Sequence, residues 1–271
     1  MKGLLACFLL VLTPCAATAS DGAPSTSAIT VTATPYPPPR QVAGQNSGDE
    51  NPRYRTRWSV SLDAAGHVTR LEPSDKTLAD AVRLPLDKAI RSWQFIPGSV
   101  DGQPAATDTT LALDITLVPF GDDKFALRVD DARTGGDVTT KGIRVPPKYP
   151  ATAIRHNRQG MVVLKVDYDP TGHVLAVNPH DGAPVVAAEL TTSAARAVKR
   201  WMFSPEIVGG HALAGSVIVP ICFEMVGFGK PMPRTACEWV PPGAHRGLHE
   251  NDVLAIEPAA KLQTDVVGHT L

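Results

Sequence analysis

The chain writes one pattern twice. "IRSWQFIP" at residues 90–97 returns as "VKRWMFSP" at residues 198–205, which sets Trp93 and Trp201 108 positions apart. Upstream, "WSVSLDAAGHVTRLEP" (58–73) parallels "LKVDYDPTGHVLAVNP" (164–179), with Gly66-His67-Val68 matching Gly172-His173-Val174 at an offset of 106. Trp93, Phe95, Pro97 and Gly102 then match Trp201, Phe203, Pro205 and Gly210 at an offset of 108. The two-residue change falls between the second strand and the helix, where insertions are tolerated. Self-similarity at a fixed spacing means one small unit used twice.

Each copy obeys the same local physics. Trp58, Val60 and Leu62 alternate with Ser59, Ser61 and Asp63, and Leu164, Val166 and Tyr168 alternate with Lys165, Asp167 and Asp169. A period of two predicts strands with one buried and one wet face. "DAAG" and "DPTG" then supply tight reversals, because Asp bonds its own downstream backbone and Gly accepts a left-handed conformation. A helix follows. Leu86, Ala89, Ile90 and Trp93 fall at i, i+3, i+4 and i+7, as do Ala194, Ala197, Val198 and Trp201. Pro97 and Pro205 end the helices, and Pro85 suits the first turn of the earlier one and not its middle. Gly102 and Gly210 turn the chain into third strands, "TTLALDITLV" (109–118) and "SVIVPICFEM" (216–225). The expected fold class is α+β: two tandem ββαβ units, each a three-stranded antiparallel sheet covered by one helix. Trp93 and Trp201 plug the space between helix and sheet.

The flanks set the boundaries. Residues 1–19 carry a basic start, a ten-residue apolar core and "ATA" at Ala17–Ala19, the pattern of a cleaved secretory signal. Residues 20–55 are a Pro/Ser-rich leader. The first copy occupies 56–120, a linker 121–144, the second copy 145–226 and a tail 227–271. Within the linker "KFALRVDD" suits a strand; in the tail "DVLAIEP" and "KLQTDVV" suit either strands or a loose end. Cleavage removes Cys7 and Cys15 and leaves Cys222 and Cys237 in an exported chain, which favours a disulfide between them. A bridge closing a loop of that size contributes about 3 kcal/mol. The rival reading is two buried free thiols.

Several functions are argued against. A formal net charge of −1 gives no basic surplus for nucleic acid. There is no P-loop, GxSxG, HExxH or CxxC, so no enzyme chemistry, metal or cofactor is expected. His67 and His173 recur after the hairpin turns, but neither has a second ligand at i+2 or i+4, and they read as polar strand-start residues. The basic clusters "IRHNR" (154–158) and "RAVKR" (196–200) read as solvated faces.

The run from Pro146 to Met225 resembles the TonB C-terminal domain family. The resemblance rests on "PPKYPATA", a Gly before a strand, "YDPTGHV", a helix ending "RWMFSP", then "GG" and an apolar strand. Residues 57–118 resemble a degenerate second copy that keeps "LDAAGHV", "SWQFIP" and "DGQP" and lacks the "PPxYPxxA" lead-in. The resemblance implies a periplasmic module that grips a peptide of a TonB-dependent outer-membrane transport receptor as an added strand. Strand addition also suits a small sheet with open edges. The implied edge is Ser216, Val217, Ile218, Val219, Ile221 and Phe223, with Thr109–Val118 as its counterpart. Pro220 departs from a clean edge because it has no N–H. Family members carry a membrane helix that couples them to a motor; here a cleaved signal leaves no such link, whereas a retained one would restore an inner-membrane energy transducer. The alternative is an envelope assembly adaptor that holds other proteins or peptidoglycan.

Overall fold

The computed structural model describes residues 51–119, 121, 124–138, 144–225, 237–241, 247–249 and 252–271. The expected signal, most of the leader, Cys7 and Cys15, and parts of the linker and tail lie outside them. The described chain is a strand-rich mixture with antiparallel pairing and three helices among the described residues.

In the first half, β1 (Arg53–Leu62) and β2 (Val68–Pro73) form a hairpin, α1 (Asp80–Ser92) follows, and β3 (Phe95–Ile96) leads into the small hairpin β4 (Ser99–Val100) and β5 (Gln103–Pro104). β6 (Thr107–Pro119) returns antiparallel to β1 along ten residue pairs. Even positions of β1 and odd positions of β6 face α1, so Trp58, Val60, Leu62, Leu111, Leu113 and Ile115 pack with Val82, Leu86, Ile90 and Trp93. α1 begins five residues before Pro85, which corrects the expected start. The earlier turn buries Val82, and Pro85 lies on the wet side, where the Ala81 carbonyl that lost its partner can meet water. Trp93 stands just past the helix end and is still in the core.

Two strands follow β6 where the sequence suggested a linker: β7 (Phe125–Gly135) and β8 (Asp137–Val138). The second half then opens with a short α2 (Ala151–Arg155), the hairpin β9 (Gly160–Tyr168) and β10 (Val174–Pro179), and α3 (Ala188–Val198). β11 (Phe203–Ser204), the hairpin β12 (Ile207–Val208) and β13 (His211–Ala212), and β14 (Gly215–Phe223) complete it. β14 pairs with β9 along nine residue pairs. Val162, Leu164, Val166, Val217, Val219, Ile221 and Phe223 face Leu190, Ala194, Val198 and Trp201. The other face is also buried: Met161, Val163 and Ile218 pack against Trp239 and Leu248 from the tail hairpin β15 (Glu238–Trp239) and β16 (Leu248–His249). That explains the unbroken apolar run Met161–Leu164, since a strand covered on both faces need not alternate. The tail ends with β17 (Leu254–Ala255) and β18 (Lys261–Leu262).

The hairpin turns behave alike. Gly66 has φ +84° and Gly172 φ +88°, and a Cβ at either would stand 1.8 Å and 2.1 Å from the carbonyl oxygens of Phe95 and Phe203. Phe95 and Phe203 donate their N–H groups to the Gly66 and Gly172 carbonyls at 3.1 and 2.9 Å. Each hairpin tip is thus stitched to the segment after the helix, which only glycine permits.

The sheets are not three-stranded, and this corrects the expected architecture. The first has six strands in the order β13-β12-β6-β1-β2 with β7 also on β6; the second has four, β10-β9-β14-β17. The reason is that each third strand left unpaired N–H and C=O groups on its outer side. Linker and tail supply partners for them.

Candidate functional site

The expected docking edge is the outer side of the third strand. On β6 that side is consumed: β12 pairs with Thr107 and Asp108, and β7 pairs with Thr110–Pro119. Thr109–Val118 therefore offers no open edge. The linker strand β7, with Leu127 and Val129 buried in the first core, occupies that edge.

On β14 the outer side is only partly taken. β17 pairs Ala255 with Val217 and Leu254 with Ile218, and Ile256 donates its N–H to the Ser216 carbonyl at 2.9 Å. The Ser216–Ile256 bond sets the register: Ser216, Ile218, Pro220 and Cys222 point their backbone groups outward, and Val217, Val219, Ile221 and Phe223 point theirs at β9. The next outward position after Ile218 is Pro220, which has no N–H to give, so the ladder stops there. The candidate residues thus fall into two sets. Ser216, Val217 and Ile218 are already paired, which corrects the expectation of a free edge there. Val219, Ile221 and Phe223 bury their side chains under α3.

Cys222 and Cys237 form a disulfide with Cα atoms 5.4 Å apart and a sequence separation of 15. It fastens the tail hairpin over the sheet face opposite α3, beside Trp239, whose ring meets His180 at 5.1 Å. Trp201 lies beyond α3, donates its indole N–H to the Val145 carbonyl at 2.9 Å, and carries the Arg144 guanidinium 4.2 Å above its ring.

A charged layer backs the first sheet, on the face away from α1. Arg55 lies 3.0 Å from Asp114 and 3.4 Å from Asp252; Arg57 lies 3.0 Å from Asp137 and 3.9 Å from Asp252. Asp114 and Asp252 are buried, as is Glu206. Glu206 accepts from Thr109 Oγ1 at 2.7 Å and from the Ala259 and Ala260 N–H groups at 2.7 and 3.2 Å. Beside it, burial pushes the Tyr168 hydroxyl up to about 12, helped by the negative charges of Glu206 and Asp137. Arg55, Arg57 and Asp252 were missed from sequence. The alternation of Arg55 and Arg57 with Thr56 and Trp58 was the available signal.

The hairpin histidines are held locally. His67 Nδ1 is 3.3 Å from Asp63, and His173 Nδ1 is 2.7 Å from the Thr171 hydroxyl. The backbone N–H of His67 holds the Asp63 carboxyl below its ordinary value; the Thr171 hydroxyl does the same for Asp169. Among the described residues no group of three or more His, Cys, Asp or Glu side chains is placed to hold a metal ion. Among them, too, no helix is long and apolar enough to cross a membrane.

Comparison with known proteins falls on the second half. The family described as Gram-negative bacterial TonB protein C-terminal matches residues 145–225. Protein TonB of Xanthomonas campestris pv. campestris is 36% identical over 89 residues, 33% of this chain and 39% of that protein. Protein tonB2 of Pseudomonas aeruginosa is 39% identical over 83 residues, covering 29% of this chain and 28% of that one. Protein TonB of Vibrio cholerae is 31% identical over 84 residues, 31% and 34% of the two chains. The chain spans less than two-fifths of the length of these relatives. No solved structure matches it. The matched segment runs from the lead-in before α2 through β14, and it is over these residues, 145–225, that the chain is similar to the TonB C-terminal domain family.

Proposed function

We propose that the chain is a protein-binding module of the Gram-negative envelope that serves TonB-dependent transport by taking an extended receptor peptide as an added strand on β14. The observation that carries the reading is the outer side of β14. It lies within the family-matched segment and, among the described residues, pairs with β17 at two positions, Val217 and Ile218. Backbone ladders supply affinity in such docking, and the side chains of alternate residues supply selectivity. The two halves descend from one duplicated ββαβ plan, and only the second keeps the docking role, because β7 and β12 leave β6 nothing to offer. The setting is the periplasm, reached through a cleaved signal at residues 1–19. Without that segment the module acts as a soluble adaptor and not as a motor-coupled transducer.

Isothermal titration of the mature chain with peptides from the plug region of TonB-dependent receptors tests the docking reading. Saturable heat supports it. Absence of heat with every peptide, while another TonB C-terminal domain binds them, overturns it. Mass spectrometry of the periplasmic protein tests the setting, and a retained Met1–Ala19 would restore the transducer.

A further inference from the structure

The tail segment that lies on β14 packs Val253, Leu254 and Ala255 on the second half, and it is also held on both sides of β17 by contacts to the first half. Upstream of β17, Asp252 sits buried against Arg55 and Arg57 of β1. At β17 itself, Ala255 packs on Gly135 at the end of β7, so closely that a Cβ on Gly135 would stand 2.2 Å from the Ala255 Cβ. Downstream, Ala259 and Ala260 bond Glu206, which Thr109 of β6 also bonds. β18 then pairs with β3, and the N–H groups of Gln263 and Thr264 reach the Gln94 carbonyl at 2.9 and 3.1 Å. β17 is therefore a short bridge between two anchorages on the first half, laid along the edge of the second.

We propose that the first half regulates docking: by gripping Asp252 and the segment around β18 it holds residues Asp252–Ile256 across Ser216–Ile218, and an incoming receptor peptide must lift that resident strand to gain the edge. The inference rests on the reading of β14 as the docking edge. It gives the first half a task that its own sealed β6 does not. The resident strand is built to yield. Its ladder is short because Pro220 ends it, whereas β7 is held to β6 along ten residue pairs. While β17 is down the edge is closed, so the apparent affinity equals the intrinsic one reduced by the open fraction. The grip on Asp252 sets that fraction.

Asp252→Asn tests the grip in the full mature chain. It removes one charge but leaves Arg55 with Asp114 and Arg57 with Asp137, so the charged layer keeps its remaining pairs. Amide exchange reads the strand without any ligand. In the variant the Ile256 and Ile218 amides are expected to exchange about tenfold faster, with the β9–β14 ladder at Val166 and Val219 unchanged. Equal exchange at Ile256 and Ile218 in both proteins overturns the proposal. The same variant is expected to bind a receptor plug-region peptide about tenfold more tightly. A second variant closes the strand for good. Val217 and Ala255 form a pair that shares no ladder bond, the closer type of pair across an antiparallel ladder, so Val217→Cys with Ala255→Cys is suited to a disulfide. The crosslinked protein is expected to lose peptide binding that the single Ala255→Cys variant, changed on the resident strand and not on the docking edge, retains. Undiminished binding by the crosslinked protein overturns the proposal. If no form binds peptide while Ile256 exchange still accelerates in Asp252→Asn, the grip of the first half on β17 is upheld and the docking reading of β14 fails.

Discussion

The two halves differ most where they are most alike. Each has a hairpin, a helix, a Trp past the helix end and a long third strand, and in each the chain that follows lies down along that third strand. After β6 it does so along ten residue pairs; after β14, among the described residues, along two. Both followers then cross over: β8 pairs with β11 of the second half, and β18 pairs with β3 of the first. The crossing is reciprocal and the sealing is not. The imbalance traces to one residue type, since β6 has no Pro facing β7 until its last position and β14 has Pro220 midway. On the proposed function, this difference would leave the first half to hold the tail and the second half to bind.

The shared core is the part of this comparison that should hold under the heaviest insult. Trp93→Ala and Trp201→Ala are each expected to cost about 3–5 kcal/mol in urea unfolding followed by circular dichroism. Trp201 should be the costlier, because its indole also serves Val145 and Arg144. A smaller loss at Trp201 would break the equivalence of the two cores. Gly66→Ala and Gly172→Ala come next, at about 3–4 kcal/mol each, from left-handed strain plus collision with a carbonyl. Matched losses in the same assay sharpen the comparison, and tolerance at either glycine breaks it.

The remaining tests separate the halves. Reduction of Cys222–Cys237 should lower stability by about 3 kcal/mol in thermal melts with and without reductant. Exchange protection should fall around Met161, Val163 and Ile218 and stay intact around Trp58 and Leu111. Pro220→Ala restores an outward N–H. It should lengthen the β17 ladder and slow Ile256 exchange, an effect of about 1 kcal/mol offset in part by the freer unfolded chain. The smallest effect is one of pH. Asp63 and Asp169 are held below their ordinary carboxylate value, so their stabilisation is present above that value and is lost as pH falls through the folded one. Both carboxylates are exposed, so melting curves taken on acidification should show only a slight loss, removed equally by Asp63→Asn and Asp169→Asn.

Much of this was legible in residues. The period-two alternation located β1 and β9, "DAAG" and "DPTG" located the turns, and the apolar stripes located α1 and α3, with the start of α1 displaced by Pro85. The linker strand was visible in "KFALRVDD", whereas "DVLAIEP" and "KLQTDVV", which carry β17 and β18, read equally as strands or a loose end. The candidate site was less legible. Ser216–Phe223 read as an edge because nothing in a strand says what lies beside it. Asp252 read as an ordinary tail carboxylate because its partners, Arg55 and Arg57, are about two hundred residues away in the chain.

The sequence alone determined the repeated local plan, because hairpin turns, helix stripes and glycine-dependent turns are set by neighbours within a few residues. It also determined that β14 carries an interruption, since Pro220 lacks an N–H in any fold. Only the tertiary structure decided which strand lies on which edge and that the tail is clasped by the first half. Those pairings join segments far apart along the chain. Their backbone groups are the same whatever the side chains, so the choice of partner is made by packing and charge in three dimensions.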